Sequence, residues 1–417
     1  MKLVLPSYLK GKINAPSSKS YTQRAIAIAA LAKGKSVILN PSLCDDSLAA
    51  ISIARNIGAE ISIENNSLKI NGSINLGSNI WDCNESGLCL RMFAPVAALF
   101  DKEIKLSGNG SLLSRPVDMI EKSLSQAGVE IYSNKGLPPL KIKGPIKNHT
   151  IITESSTSSQ FLTGLLIALP FLNGEYKIIS KKIVSKPYID MTLETIKNFG
   201  VIIKNNNYQE FIINNHQSYK PAKFNIEGDW SNAAYFMVAG AINGEINISG
   251  LKINSLQGDK KILDVLINAG ADIKVDVDGI FIRKSNLKCF NFNAIDYPDL
   301  FPPLVVLAGY CNGISEIKGV SRLINKESNR AEVLKNEFSK IGYKIEIKDN
   351  SMFIKGGSIK GGSINPNNDH RIAMAAAIAA LKAEKPVTIE NPGCVAKSYP
   401  GFFKDFSNLG LIIKDIK

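Results

Sequence analysis

The chain has 417 residues, 45% hydrophobic and 21% charged, a balance typical of a globular protein with two or three domains. Its net charge is +13, but the lysines are spread without basic blocks or interleaved aromatic residues, which argues against a nucleic-acid surface and for an anionic small-molecule site. No apolar run reaches membrane-spanning length, and the six cysteines and three histidines contain no C-x-x-C pair, which argues against a zinc site.

The predicted elements repeat with a period of about 70 residues. Six glycines each end a helical pattern and precede an alternating strand pattern: Gly58, Gly128, Gly200, Gly270, Gly342 and Gly410. A glycine just past a helix takes the left-handed conformation without a Cβ clash, which gives these positions a physical reason. The spacing therefore predicts a sixfold internal repeat.

Each repeat is predicted to contain two helices and four strands. In chain order, the first helices are apolar nearly all round and cover residues 20–32, 87–99, 159–169, 231–242, 300–309 and 371–381. The second helices are amphipathic and end at the six glycines. Strands fill the remainder, which predicts a β-α-β-α-β-β unit used six times. The units divide into three plus three near residues 227–229.

Cations near the predicted helix starts point to bound anions. Lys19, Arg24 and Arg371 lie beside starts of buried helices, where a cation opposes the helix dipole unless an anion lies between them. Four of the second helices open near a basic residue: Arg115, Lys186, Lys326 and Lys397. Only eight arginines occur among 50 basic residues, which indicates that arginine is kept where a planar fork is needed for carboxylate or phosphate.

Four motifs together resemble the 5-enolpyruvylshikimate-3-phosphate (EPSP) synthases, of the enolpyruvyl transferase family. They are Ser158-Ser159-Gln160-Phe161-Leu162-Thr163, Ser185-Lys186-Pro187-Tyr188-Ile189-Asp190, Glu227-Gly228-Asp229 and Asn368-Asp369-His370-Arg371. The resemblance runs from Lys12 to the Lys397-Ser398-Tyr399-Pro400 segment. Each motif alone is weak, whereas the set is specific.

The resemblance implies an α/β fold of two similar domains. Each would be an inside-out α/β barrel of three β-α-β-α-β-β units, with buried parallel helices whose N-termini face an interdomain cleft. We expect residues 14–228 to form the N-terminal domain, on the shikimate 3-phosphate side. Residues 1–13 with 229–417 would form the C-terminal domain, on the phosphoenolpyruvate (PEP) side.

The resemblance also implies a reaction. The enolpyruvyl group of PEP would pass to the 5-hydroxyl of shikimate 3-phosphate, with release of phosphate, by addition and elimination. We expect no metal and no cofactor, and we expect the two small molecules as partners, with no nucleic acid and no membrane. The expected protein is a cytoplasmic monomer of the shikimate pathway to chorismate and the aromatic amino acids.

Site residues carry over position by position from the resemblance. Shikimate 3-phosphate would contact Lys19, Ser20, Arg24, Ser158, Ser159, Gln160, Ser185, Tyr188, Asp299 and Lys326. PEP would contact Lys19, Gly87, Arg115, Gln160, Arg330, Arg371 and Lys397. The catalytic residues would be Asp299, which deprotonates the 5-hydroxyl, Glu327, which protonates the PEP methylene, and Lys19.

Some positions depart from the family pattern, and two alternatives stay open. Ser17 and Leu88 replace a usual glycine and threonine, which leaves glyphosate sensitivity undecided, and Arg322 stands where many members have asparagine. One alternative is UDP-N-acetylglucosamine enolpyruvyl transferase, which would carry Lys-Asn where this chain has Lys19-Ser20 and a reactive cysteine in the first domain. The other is a non-catalytic binding protein on the same fold.

Overall fold

The computed structural model describes residues 1–416, which separate into two compact units. Ser17–Glu227 form the N-terminal unit, and Met1–Pro16 form the C-terminal unit together with the chain from Gly228 onward. Within the described residues, no helix combines the length and the apolar character needed to cross a bilayer.

The helices and strands alternate as the repeat predicts. The α-helices of residues 1–416 are α1 (Lys19–Leu31), α2 (Asp45–Ile57), α3 (Gly87–Ala97), α4 (Asp118–Gln126), α5 (Gln160–Ala168), α6 (Lys186–Asn198), α7 (Trp230–Asn243), α8 (Ile262–Asn268), α9 (Phe301–Gly309), α10 (Arg330–Lys340), α11 (His370–Ala379) and α12 (Phe402–Asn408). The strands are β1 (Lys2–Val4), β2 (Leu9–Asn14), β3 (Gly34–Leu39), β4 (Glu60–Glu64), β5 (Ser67–Gly72), β6 (Ile80–Asp82), β7 (Ile104–Ser107), β8 (Glu130–Asn134), β9 (Leu137–Lys143), β10 (Thr150–Glu154), β11 (Tyr176–Lys181), β12 (Ile203–Asn206), β13 (Glu210–Ile213), β14 (Lys223–Asn225), β15 (Gly244–Ser249), β16 (Asp272–Asp276), β17 (Gly279–Arg283), β18 (Asn291–Asn293), β19 (Ile314–Lys318), β20 (Lys344–Lys348), β21 (Ser351–Lys355), β22 (Gly362–Ile364), β23 (Val387–Ile389) and β24 (Ile413–Asp415).

The N-terminal unit contains three four-stranded sheets of one pattern. Their strand orders are β14-β3-β5-β4, β6-β7-β9-β8 and β10-β11-β13-β12. In each, the first two strands are parallel and the other neighbours are antiparallel. A parallel pair needs a crossover connection, which α3 and α5 supply in the second and third sheets. In the first sheet, the strand that pairs in parallel with β3 is β14, the last strand of the unit in chain order.

The C-terminal unit repeats this pattern and uses the first residues of the chain to complete it. Its strand orders are β2-β15-β17-β16, β18-β19-β21-β20 and β22-β23-β1-β24. Strand β2 pairs in parallel with β15 from Leu9 to Asn14, and β1 lies between β23 and β24. The predicted β-α-β-α-β-β unit and the α/β fold class are therefore confirmed. In the first sheet of each unit, the opening strand comes from a distant part of the chain: β14 pairs with β3, and β2 pairs with β15.

The first helix of each repeat is buried, as predicted. In α11 every residue is buried, and α1 carries a fully buried run from Ala25 to Ala30. Hydrogen bonds join the beginnings of these helices: Gln23 Nε2 of α1 donates to Ser86 Oγ, the cap of α3, at 3.2 Å. The starts of α1 and α3 therefore lie at one end of the N-terminal unit. The interdomain cleft stays a prediction.

The six glycines end the second helices in the predicted conformation. Their φ angles lie between +80° and +123°. At Gly58 a side chain is disfavoured for two reasons. The φ angle is +123°, and a Cβ would lie 2.5 Å from the carbonyl oxygen of Asn75. The strand of each repeat then begins within three residues of the glycine.

Candidate active site

Lys19 opens α1 and is held by a carboxylate. Its Nζ lies 2.8 Å from Oδ2 of Asp46, in the first turn of α2, and both side chains are largely buried. An acidic residue is stabilised at a helix start by the helix dipole, so Asp46 is favoured at this position even without Lys19. Lys19 is thus fixed at the start of its helix by a partner, Asp46, that no sequence signal pairs with it.

Arg24 is a buried cation on α1 whose partners are neutral. Its Nε donates to Thr192 Oγ1 at 2.9 Å, and Nη2 donates to Thr163 Oγ1 at 3.4 Å. The carbonyl oxygens of Ser20 and Tyr188 accept from Nη1 and Nη2 at 2.9 and 3.2 Å. Burial lowers the pKa of Arg24 to about 10, and among the described residues no carboxylate is in contact with its guanidinium.

The contacts of Arg24 bring three further predicted residues together. Ser20 lies on α1 and Tyr188 on the first turn of α6, and the Tyr188 ring centre is 6.0 Å from the guanidinium carbon of Arg24. Ser185 caps α6 with a left-handed φ of +57°, and its carbonyl oxygen accepts from the Tyr188 amide at 3.1 Å. Ser20, Arg24, Ser185 and Tyr188 therefore form one cluster between α1 and α6.

A second cluster of the N-terminal unit surrounds the start of α5. Ser158 Oγ accepts from the Gln160 amide at 3.2 Å, and the buried Ser159 immediately precedes the helix. Gln160 Oε1 accepts from Nη1 of Arg91 at 3.3 Å. Arg91 also donates from Nη2 to the carbonyl oxygen of Pro116 at 3.1 Å, next to Arg115. Arg91 thus links Gln160 to the Arg115 segment.

Gly87 and Arg115 are brought together by close packing. Gly87 is the first residue of α3, and a Cβ built on it would lie 2.4 Å from Nη1 of Arg115. Any side chain at this position would collide with the guanidinium. Arg115 is itself buried, and it lies ahead of α4 rather than at its first residue. Lys326 and Lys397 likewise precede α10 and α12, whereas Lys186 is the first residue of α6.

In the C-terminal unit, Arg330 binds three carboxylates. Arg330 opens α10 and is fully buried. Its Nε lies 2.9 Å from Asp369 Oδ2, and its Nη2 lies 2.6 Å from Glu327 Oε2. Its Nη1 lies 3.1 Å from Asp299 Oδ1. A buried guanidinium with this many charged acceptors is held rigidly, because its planar donors are used in several directions.

Asp299 lies among three cations. Its Oδ2 accepts from Arg371 Nη2 at 2.9 Å, and its Oδ1 lies 3.8 Å from Lys326 Nζ and 3.1 Å from Arg330 Nη1. Burial alone would raise the pKa of Asp299, but Arg371, Lys326 and Arg330 together hold it well below its usual range. Burial lowers the pKa of Lys326 to about 8, against the opposing effect of Asp299.

The last two predicted residues, Arg371 and Lys397, lie near the start of α11. Asp369 caps this helix by accepting from the Arg371 amide at 3.0 Å, and it also binds Arg330. Lys397 is buried in the 3-10 helix Pro392–Lys397 and donates from Nζ to the carbonyl oxygen of Asn368 at 3.0 Å. Arg330, Arg371 and Lys397 therefore gather around one helix beginning.

One group of side chains has the composition of a metal site. Ligand atoms of Glu327, Asp369 and His370 lie within 4.8 Å of one another. However, Glu327 and Asp369 both accept from Arg330, and a cation there would compete with a buried guanidinium for the same oxygens. The donor set is thus committed to Arg330, and we assign no metal to it.

Three residues of these clusters were missed from the sequence. Asp46 holds Lys19, Arg91 holds Gln160, and Asp369 holds both Arg330 and the start of α11. Scarcity of arginine marks Arg91, and membership of the Asn368–Arg371 motif marks Asp369, whereas no sequence signal marks Asp46. Arg322 is buried, and its Nε donates to the carbonyl oxygen of Ile295 at 3.1 Å.

The chain is similar to known proteins over nearly its whole length. The family model of EPSP synthase (3-phosphoshikimate 1-carboxyvinyltransferase) matches residues 4–406. A 3-phosphoshikimate 1-carboxyvinyltransferase of Clostridium novyi is 40% identical over 99% of this chain and 98% of its own length. One of Clostridium perfringens is 39% identical over 99% of both chains.

Solved structures agree with the sequence relatives. An EPSP synthase structure from Acinetobacter baumannii, determined at 2.37 Å, has a TM-score of 0.83 and 26% identity over 99% of each chain. A second EPSP synthase structure from that organism has the same TM-score and 25% identity over 100% of each chain. The chain therefore belongs to the EPSP synthase (3-phosphoshikimate 1-carboxyvinyltransferase) family.

Proposed function

We propose that this chain transfers the enolpyruvyl group of PEP to the 5-hydroxyl of shikimate 3-phosphate, releasing phosphate. The observation that carries the proposal is the pair of carboxylates Asp299 and Glu327 set among Lys326, Arg330 and Arg371, in a chain of the EPSP synthase family. Two carboxylates give an acid and a base, and three cations match the phosphate and carboxylate of an anionic substrate.

The N-terminal unit supplies the proposed acceptor-binding residues. Arg24 carries a buried charge whose hydrogen-bond partners within the described part of the chain are all neutral, which leaves it suited to a substrate anion. Ser20, Ser185 and Tyr188 adjoin it, and Ser158, Ser159 and Gln160 add polar groups at the start of α5. Lys19, Arg115 and Gly87 are proposed to serve PEP, Lys19 by exchanging Asp46 for a substrate anion.

The addition step begins with proton transfer to Asp299. The oxygen of the 5-hydroxyl bonds to C2 of PEP while its proton passes to an Asp299 oxygen. Both oxygens of Asp299 are engaged by cations, so it is a weak base until one cation leaves. PEP is proposed to draw Arg371 from Asp299, because the guanidinium then binds the substrate anion. Binding of the second substrate thereby makes Asp299 more basic.

Glu327 is proposed to donate a proton in the addition and to take a proton back in the elimination. For this step Glu327 must carry a proton, which passes to C3 of PEP and forms the methyl group of a tetrahedral intermediate. In the elimination the C2–O bond to phosphate breaks, Glu327 recovers a proton from the methyl group, and the proton on Asp299 leaves with phosphate. The 2.6 Å contact with Arg330 fixes the position of the Glu327 carboxyl group.

The two alternatives are not favoured. A UDP-N-acetylglucosamine enolpyruvyl transferase was expected to have a reactive cysteine in the first domain, but Cys44, Cys83 and Cys89 of the N-terminal unit are buried. Burial raises the pKa of all three thiols, which disfavours the reactive thiolate. A non-catalytic binding protein on this fold would be expected to lose some of the cations or Asp299 and Glu327, and all of them are present.

The decisive experiment compares acceptors. Purified protein is incubated with PEP and either shikimate 3-phosphate, UDP-N-acetylglucosamine or no acceptor, and released phosphate is measured. We expect release only with shikimate 3-phosphate, and none from Asp299→Asn protein prepared in parallel. If phosphate is released with UDP-N-acetylglucosamine but not with shikimate 3-phosphate, the chain is a UDP-N-acetylglucosamine enolpyruvyl transferase. If neither acceptor supports release, the catalytic role is contradicted.

A further inference from the structure

Glu85 connects the two segments that carry Gly87 and Arg115. It lies two residues before α3, which begins at Gly87, and its side chain is only partly exposed. Its Oε2 accepts from the Ser111 amide at 3.1 Å and from the Ser111 hydroxyl at 2.9 Å. Ser111 belongs to the 3-10 helix Gly110–Ser114, which Arg115 follows directly. One carboxylate oxygen thus holds the turn that leads into Arg115.

The turn is shaped to receive this carboxylate. Gly110 has a left-handed φ of +52°, and a Cβ on it would lie 2.4 Å from the carboxyl carbon of Glu85. A side chain at this position would therefore strain the backbone and displace Glu85. Beside this contact, the Asn109 amide donates to the carbonyl oxygen of Asn84 at 3.0 Å. Backbone and side chain thus join the same two segments, and the bonds to the carboxylate are the stronger kind because their acceptor is charged.

The position of the Arg115 guanidinium depends on this turn. The Arg115 amide donates to the carbonyl oxygen of Leu112 at 3.1 Å, and the Leu112 side chain is fully buried in the core of the unit. The guanidinium packs against Gly87, where a Cβ would lie 2.4 Å from Nη1. Residues 85–87 and 111–115 are therefore held together at both ends, by the Glu85 carboxylate at one end and by the guanidinium at the other.

We propose that Glu85 is a positioning residue, which sets the guanidinium of Arg115 against the start of α3 through its two hydrogen bonds to Ser111. The inference rests on the proposed function, because it takes PEP as the anion that Arg115 binds. Without the carboxylate the turn can shift, and a displaced guanidinium loses a charge-assisted hydrogen bond to the substrate. We expect the KM for PEP to rise roughly 10–100-fold in Glu85→Ala, whereas the KM for shikimate 3-phosphate should change little.

Two further variants separate hydrogen bonding from charge. Glu85→Gln keeps the length of the side chain, and its amide oxygen can accept from the same amide and hydroxyl without a charge. We expect its KM for PEP to stay close to that of wild type. Ser111→Ala removes only the hydroxyl donor, so its KM for PEP should lie between those of wild type and Glu85→Ala.

Glu316→Ala is the matched control in the C-terminal unit. Glu316 is also a partly exposed glutamate on which a serine hydroxyl bonds, since its Oε1 accepts from Ser351 Oγ at 2.8 Å. It lies on β19, outside the clusters of the proposed active site. Both KM values should therefore stay at those of wild type.

A double-mutant cycle tests whether Glu85 acts through Arg115. The KM for PEP is measured in wild type, Glu85→Ala, Arg115→Ala and the double variant, at saturating shikimate 3-phosphate. If Glu85 only positions the guanidinium, the double variant should match Arg115→Ala, because there is no guanidinium left to position. A residue that only stabilises the fold would act equally in both backgrounds, so additive effects would overturn the inference. Ser111→Ala takes the place of Glu85→Ala in the cycle if the latter does not fold.

Crystal structures of wild type, Glu85→Ala and Glu85→Gln give a readout that does not depend on turnover. The guanidinium of Arg115 should leave its place against Gly87 in Glu85→Ala and keep it in Glu85→Gln. An unmoved guanidinium in Glu85→Ala would overturn the inference, and so would an equal rise of the KM for PEP in both variants, which would assign the effect to charge. If wild type releases no phosphate with shikimate 3-phosphate, the proposed function fails instead, and the crystal structures still test the positioning of Arg115.

Discussion

Replacing Arg371 by lysine tests whether placement of a guanidinium, rather than charge alone, binds PEP. Arg371 is buried, its amide is fixed by Asp369 at 3.0 Å, and its Nη2 reaches Asp299 at 2.9 Å. Lysine keeps the charge but replaces a planar fork by a single ammonium, so it loses one charge-assisted hydrogen bond of the two that a fork can make. We expect PEP binding to weaken by about 1–3 kcal/mol. This corresponds to roughly 5–150-fold in the KM for PEP.

The assay measures steady-state phosphate release. PEP is varied at saturating shikimate 3-phosphate, and shikimate 3-phosphate is then varied at saturating PEP. The KM for PEP should rise far more than the KM for shikimate 3-phosphate. Arg55→Lys and Arg283→Lys are matched controls on the surface, where Arg55 donates from Nη2 to the Ile61 carbonyl oxygen and Arg283 Nε lies 3.6 Å from Asp272 Oδ2. Equal changes for all three variants would refute the reasoning, since general positive potential would then attract the substrate.

Four further changes have defined outcomes. Glu327→Gln should lower kcat by roughly 10²–10⁴-fold while PEP still binds, and wild type in D₂O should place deuterium in the methyl group of the intermediate. Gly87→Ala should raise the KM for PEP, because its Cβ would displace the guanidinium of Arg115. Arg330→Leu should lower stability by about 3–5 kcal/mol in urea unfolding, and less at pH 5 than at pH 8, because it strands carboxylates that are neutralised by acid. The KM for shikimate 3-phosphate should rise as pH passes about 8, because Lys326 then loses its charge.

For each of these four predictions, one outcome would contradict the reasoning. Near-normal turnover by Glu327→Gln would remove it as the acid. An unchanged KM for PEP in Gly87→Ala would mean that Arg115 does not serve PEP. Equal destabilisation of Arg330→Leu at both pH values would mean that the carboxylates left without the guanidinium take up no protons between pH 8 and pH 5. A Lys326→Arg variant that keeps the rise above pH 8 would assign the titration to another group.

The repeat was predictable because each signal in it is local. A glycine past a helix, an apolar helix and a strand pattern all lie within one segment of the chain, and the six sheets follow from their order. Exchange of the opening strands is not local. Strand β14 pairs with β3, and β2 pairs with β15, across more than 180 residues each. No residue pattern in such short strands specifies so distant a partner; the family resemblance alone placed the first dozen residues with the C-terminal domain.

The predicted site residues gather within each unit, but their partners could not be read from the sequence. Arg371 was recognisable as a scarce arginine in a motif, and Arg330 was assigned through the family resemblance. Their ion pairs with Asp299 and Asp369 join separate segments of the chain. Asp46 lies in an ordinary helix-start position, where an acidic residue needs no further explanation. Its importance comes from Lys19, the cation that the fold places beside it.

These carboxylates change how the affinity of the site is understood. Lys19 is held by Asp46, Arg371 by Asp299, and Arg330 by Asp299, Glu327 and Asp369. An anionic substrate therefore exchanges partners with a cation that is already neutralised, and only the difference between the two interactions contributes to binding. Arg24 is the exception, because among residues 1–416 only neutral groups bond to its guanidinium. A substrate anion at Arg24 displaces no carboxylate, so this residue should contribute more per contact than the paired cations of the same unit.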